Sequence, residues 1–176
     1  LTMPVHWEFA LEFARGEHIP YLSDDDALIP GLLARVHDLL SQDTARSVYW
    51  RASTYFHETW YEPKRRNQIR IRPFSSEVRE EDADGMLAAL YSLQYAERPF
   101  PRMLNSCCPR TVIEQVQEQA GRFFIESCPD YAATAVLAAE VDRFVFVDAP
   151  WMLSGCGQES IGASQFRRMN NATTNE

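Results

Sequence analysis

Apolar residues recur with a helical period at the start of the chain. Trp7, Ala10, Leu11 and Ala14 fall at i, i+3, i+4 and i+7, and Gly16 follows as a natural stop, which predicts a first helix over about residues 5–15. The short apolar run Ile19-Pro20-Tyr21-Leu22 then breaks off in Ser23-Asp24-Asp25-Asp26, the pattern of a buried strand with an acidic C-terminal tip. Pro30 suits the first turn of a helix, and Leu32, Leu33, Val36, Leu39 and Leu40 continue it as an apolar stripe. From Ser47 to Arg72 the text changes to aromatic and β-branched runs, SVYWRASTYF and NQIRIRP, separated by the polar EPKRR; two antiparallel strands joined by a loop are expected.

Helical signals return over about residues 80–93, with Met86, Leu87, Leu90 and Tyr91, and over about 111–120, where Val112, Ile113 and Val116 precede Gly121. Ala-rich Tyr131 to Ala139, introduced by Pro129-Asp130, predicts another helix, and FVFVD at 144–148 predicts a strand. Residues 165–176 carry no periodicity and read as a mobile tail. With no repeat or linker before them, residues 1–164 read as one mixed α/β unit.

Composition narrows the classes. In 176 residues, 45% are hydrophobic and 24% charged, the profile of a globular domain large enough to bury a core without staples. The net charge of −8 disfavours broad affinity for nucleic acid or anionic lipid, so any basic site must be local. No apolar run approaches the roughly 18–20 residues of a membrane span, and LTMPVHWEF lacks the basic start and apolar centre of a signal peptide. A soluble, cytoplasmic chain without a transmembrane segment is the expectation. Cys107, Cys108, Cys128 and Cys156 have no CxxC spacing and read as reduced thiols.

The acidic triplet is the most informative chemistry. Three adjacent carboxylates repel one another, yet they follow a hydrophobic strand directly, where the sheet of an α/β fold opens into its usual ligand crevice. A hard divalent ion would relieve that repulsion, since Mg²⁺ or Mn²⁺ binds through one or two carboxylates and fills its shell with phosphate oxygens and water. The plainer alternative is a cap for the helix that Pro30 begins. A second cluster, Lys64-Arg65-Arg66 with Arg70 and Arg72, is interleaved with Trp50, Tyr55, Trp60 and Tyr61. It reads either as a phosphate- and sugar-contacting surface or as a solvated hairpin with alternate aromatics in the core. His6, His18, His37 and His57 show no paired ligand spacing.

The segment WEFALEFARGEHIPYLSDDDALIPGLL resembles the central signature of family-2-type glycosyltransferases, through Ala14, Gly16, Glu17, Tyr21, Leu22, Asp24, Asp25, Asp26 and Pro30. The likeness continues more weakly through PRMLNSCCPR, GRFFIESCPDYAATA and VDAPWMLSGCGQESIGAS. It implies an A-type nucleotide-diphosphosugar transferase fold, a partial Rossmann-like, three-layer α/β/α domain with an inserted antiparallel hairpin. It also implies inverting, metal-dependent transfer of a sugar from a nucleotide-diphosphosugar to a hydroxyl on a glycan, lipid-linked or protein acceptor. Carried over, Asp25 would be the ligand to Mn²⁺ or Mg²⁺, Asp24 would lie near the donor ribose or sugar, and Asp26 would support the site. Asp130 matches the place of the base that takes the acceptor proton, although Pro129 stands where the family often has Glu.

The family's N-terminal strand with its Pro-x-Tyr-Asn turn is not found in the chain, so the resemblance implies an N-terminally truncated domain that lacks its nucleobase pocket. Two other classes stay open. One is a non-catalytic α/β binding module or inactive enzyme fragment. The other is a magnesium-dependent hydrolase or phosphotransferase, which usually needs a nucleophilic Asp or a phosphate-cradling Gly-rich loop; Gly155-Cys156-Gly157 is the nearest approach to the latter.

Overall fold

The computed structural model describes residues 2–41, 46–94, 99–125 and 128–158. Five helices and seven strands are seen among them: α1 (Met3–Leu11), β1 (His18–Pro20), β2 (Ala27–Leu28), α2 (Leu32–Leu40), β3 (Ser47–Phe56), β4 (Gln68–Arg70), β5 (Val78–Asp82), α3 (Ala83–Tyr91), β6 (Ser106–Pro109), α4 (Arg110–Ala120), α5 (Pro129–Glu140) and β7 (Arg143–Cys156). The seven strands form one mixed sheet. Residues 159–164 and the tail over 165–176 lie outside the described residues.

The sheet is built on two long strands. β3 and β7 run parallel from Ser47 opposite Phe144 to Phe56 opposite Cys156, with irregular register around Trp50, Arg51 and Ala52. Pro150 falls within that irregularity; a proline has no N–H for a ladder and is tolerated at a bulge. Each long strand carries two shorter antiparallel partners. β6 and β4 border the two ends of β3, while β5 and β2 border the two ends of β7, and β1 pairs with β6. The inserted hairpin expected over residues 47–72 therefore contributes β3 to the centre of the sheet, with β4 paired to the end of β3.

Alternation along the central strands divides the core. Tyr49, Phe144 and Phe146 face a cluster with Leu11 of α1, Met86 of α3, Ile113 of α4 and Leu137 of α5. Val48, Trp50, Val145 and Val147 face the opposite way, onto Leu32, Val36 and Leu40 of α2. Helices thus cover both faces, and with both faces buried the central strands read as nearly continuous apolar runs.

Three expected elements are redrawn. The helix expected over 80–93 is two elements, edge strand β5 followed by α3, whose N-cap Asp82 accepts from Gly85 N at 2.8 Å. The strand expected over 144–148 extends through the bulge to Cys156. Pro30 lies outside α2, whose N-cap is the left-handed Gly31, and Leu33 of the expected stripe is exposed. The helix 110–120 ends as expected in a left-handed Gly121.

Candidate functional site

The acidic residues occupy the turn between β1 and β2. Asp26 N donates to Ser23 O at 3.2 Å and closes the turn, and the Ser23 hydroxyl donates to Asp24 Oδ1 at 3.3 Å. The turn lies against the end of β7. Gly155 N donates to Asp26 Oδ1 at 3.0 Å, and a Cβ on Gly155 would stand 2.1 Å from the Asp25 carbonyl oxygen. Only a glycine admits so close an approach, so β7 fixes where the turn sits. The turn does not cap α2: two residues of β2 intervene, and α2 has no side-chain cap. That removes the helix-capping explanation of the triplet.

The three carboxylates differ in surroundings. Burial pushes the Asp26 carboxyl above its ordinary range, with the Asp25 charge acting in the same direction, while Gly155 N–H, the Ser154 hydroxyl and the Arg102 charge oppose it. Asp24 and Asp25 are exposed, and Asp25 makes no hydrogen bond or ion pair among the described residues. One Asp26 oxygen is committed to the backbone, which leaves Asp24 and Asp25 as the carboxylates open to a ligand. One or two exposed carboxylates fit a hard divalent ion that completes its shell from phosphate and water. Among the described residues, no three His, Cys, Asp or Glu side chains are grouped to hold a metal by themselves.

Asp130 lies in the first turn of α5, after the left-handed Cys128 and Pro129 at the first helical position. It is not the N-cap. Its Oδ2 is 3.6 Å from Arg102 Nη1, and the Arg102 guanidinium lies 5.3 Å from the Tyr131 ring centroid. Arg102 is held by the short turn Met103–Asn105. Its N donates to Asn105 Oδ1 at 3.1 Å, and buried Asn105 donates through Nδ2 to Trp50 O at 2.8 Å and Phe100 O at 3.1 Å. The centre of β3 thereby positions a cation that pairs with Asp130 and whose charge also reaches Asp26. Arg102 lies in PRMLNSCCPR, a segment the resemblance covers without giving it a role.

The aromatic cluster is only partly a surface. Trp50 and Trp60 are core residues, 0% and 6% exposed, so they are not platforms for a sugar ring; Tyr55 and Tyr61 are half-buried. The Arg65 and Arg70 guanidiniums lie 5.7 and 5.4 Å from the Phe56 ring centroid. Phe56 pairs with Cys156, whose thiol is pushed up by burial and by Asp25 and Asp26, with Arg70 acting against them. All four cysteines are free thiols, and Gly155 and Cys156 lie at the end of β7, with Gly157 just after it. A cavity of about 250 Å³ between β1 and α2, lined in part by His18, Val36, His37 and Cys107, contains none of the acidic triplet.

No protein-family model matches the chain, and no curated protein matches it. Among the described residues, no helix is long and apolar enough to cross a membrane.

Proposed function

We propose that the chain is the metal- and acceptor-binding part of an A-type, family-2-type glycosyltransferase. The reaction is inverting transfer of a sugar from a nucleotide-diphosphosugar to a hydroxyl acceptor. The observation that carries this reading is Arg102. It pairs with Asp130 at 3.6 Å, and its positive charge opposes the rise of the Asp26 carboxyl, which supports a reading in which the two acidic sites serve one ligand. The order of the motifs along the chain and helices on both faces of a mixed sheet are consistent with it.

In this reading Asp25, with Asp24 beside it, would hold Mn²⁺ or Mg²⁺. When bound, the ion supplies positive charge for the departing nucleoside diphosphate. Asp26 keeps the turn on Gly155 and is a positioning residue. Asp130 takes the proton of the acceptor hydroxyl as its oxygen attacks the anomeric carbon, and Arg102 holds the carboxylate in place for that role.

The test is sugar transfer from a panel of nucleotide-diphosphosugars by the full-length enzyme that this reading implies, with the anomeric configuration of the product read by NMR. Asp130→Asn is expected to lower turnover by about 10²-fold or more while donor binding stays nearly intact, the usual scale of general-base catalysis. Near-normal turnover in that variant would move the base elsewhere. Retention of configuration would reject single displacement.

A further inference from the structure

Five of the chain's 17 Lys and Arg, namely Lys64, Arg65, Arg66, Arg70 and Arg72, fall between Glu62 and Glu77, and that interval contains no acidic residue. A strongly cationic segment thus sits in a protein of net charge −8. All residues from Pro63 to Val78 are exposed. Among them Ile69, Ile71 and Phe74 are 56%, 60% and 48% exposed, although large apolar side chains gain from burial. The segment is nevertheless built into the fold. Thr54 to Phe56 pair with Gln68 to Arg70, Asn67 N donates to Phe56 O at 2.8 Å, and Arg66 Nε donates to Trp60 O at 2.7 Å. Among the described residues β4 pairs with β3 alone, which leaves its other edge unpaired by them.

We propose that residues 63–74 are an edge-on docking surface for an anionic lipid bilayer. Charge complementarity selects the partner's sign, and the type of exposed apolar residue selects its class. Arg70 and Ile69 alternate on the β4 ribbon, so an edge-on approach lets isoleucine and phenylalanine enter the headgroup boundary while the arginines stay at the phosphates. Only Arg65 is neutralised nearby, by Glu62 at 3.0 Å; Lys64, Arg70 and Arg72 have no ion-pair partner among the described residues. A single-stranded nucleic acid would instead call for several aromatic faces; Trp50 and Trp60 are buried, and Phe74 is the one aromatic among residues 63–74. The inference does not depend on the transferase reading.

The experiment is co-sedimentation of the full chain with phosphatidylcholine vesicles, with and without phosphatidylserine, over a range of salt. Binding is expected only with phosphatidylserine, weakening as salt rises, and falling about fivefold for each cation removed in Arg70→Ala/Arg72→Ala. Lys64→Ala/Arg72→Ala, which leaves β4 untouched, repeats the charge test. Ile71→Ser/Phe74→Ser, outside the strand, is expected to cost at least about fivefold at constant charge. Absence of binding, equal binding to both vesicles, or binding indifferent to these variants would overturn the proposal. It would equally fall if only the arginines mattered and a single-stranded RNA bound as well as the vesicles. Salt-sensitive dimerisation without vesicle binding would assign the surface to a second copy instead.

Discussion

Substituting alanine for Gly155 tests the contact on which the candidate site is built. The new methyl would stand 2.1 Å from the Asp25 carbonyl oxygen and 2.9 Å from its carbonyl carbon, where ordinary contact begins at 3.4 Å. Both neighbours are backbone, so no side-chain rotation relieves the clash. Either the end of β7 or the acidic turn must move. Overpacking of this kind costs about 1–3 kcal/mol. If the movement also breaks the 3.0 Å bond from Gly155 N to Asp26, a further loss of about 0.5–1.5 kcal/mol applies, the usual net worth of a hydrogen bond. The combined loss of roughly 1.5–4.5 kcal/mol is a large share of the 5–15 kcal/mol that holds a typical domain together. Urea and thermal melts of Gly155→Ala should show it, beside Gly157→Ala, whose added Cβ meets Thr59 Oγ1 at an ordinary 3.6 Å and should change little. Equal melting of both variants and the parent would show that the turn does not rest on β7.

Asp148 gives an acid-stability prediction. Burial alone would raise its carboxyl, but hydrogen bonds from Arg51, the Ser75 hydroxyl and Ser75 N, together with the Arg51 charge, hold it at about 2. A carboxyl lowered in the folded state contributes stability above its unfolded value near 4 that is lost as pH falls to about 2, here on the order of 2 kcal/mol. Asp148→Asn should flatten the acid limb of a pH-dependent melt over that window, and an unchanged limb would refute the assignment. Asp26 has the opposite sign. Its folded carboxyl is raised, so its contribution is present below the unfolded value and lost as pH rises through the folded one. Asp26→Asn, which still accepts from Gly155 N, should melt at or above the parent at neutral pH, and a marked loss there would show that the charge itself is needed.

Periodicity carried the parts of the fold whose burial is one-sided. The α2 and α4 stripes are of this kind, because each helix shows one face to the sheet and the other to water. The central strands defeated it. With helices on both sides, alternation cannot tell whether Trp50 faces water or core, and the aromatic run left both readings open. β5 was hidden for the reverse reason. VREED carries the charges of a surface helix, and Glu81 is buried where Tyr49 reaches it across the sheet and Arg79, two residues earlier on β5, pairs with it. β6, Ser-Cys-Cys-Pro, is too short and too uniformly buried to show a period. At the site, the acidic turn and Asp130 stand out in the sequence as candidates because their residue types cluster or match a motif. Arg102 and Asn105 fall in PRMLNSCCPR, but their contacts were not legible there, since they depend on Trp50, 55 residues away from Asn105 in sequence.

Calorimetry decides whether the turn after β1 presents Asp24 and Asp25 to a divalent ion carrying a nucleoside diphosphate. Mn²⁺ is titrated together with UDP, GDP, CDP or dTDP into the chain and into Asp25→Ala. Metal-dependent binding of at least one diphosphate by the unsubstituted chain is expected, with its loss, by about tenfold or more, in the variant. Equal binding by the two proteins would overturn the assignment of Asp25.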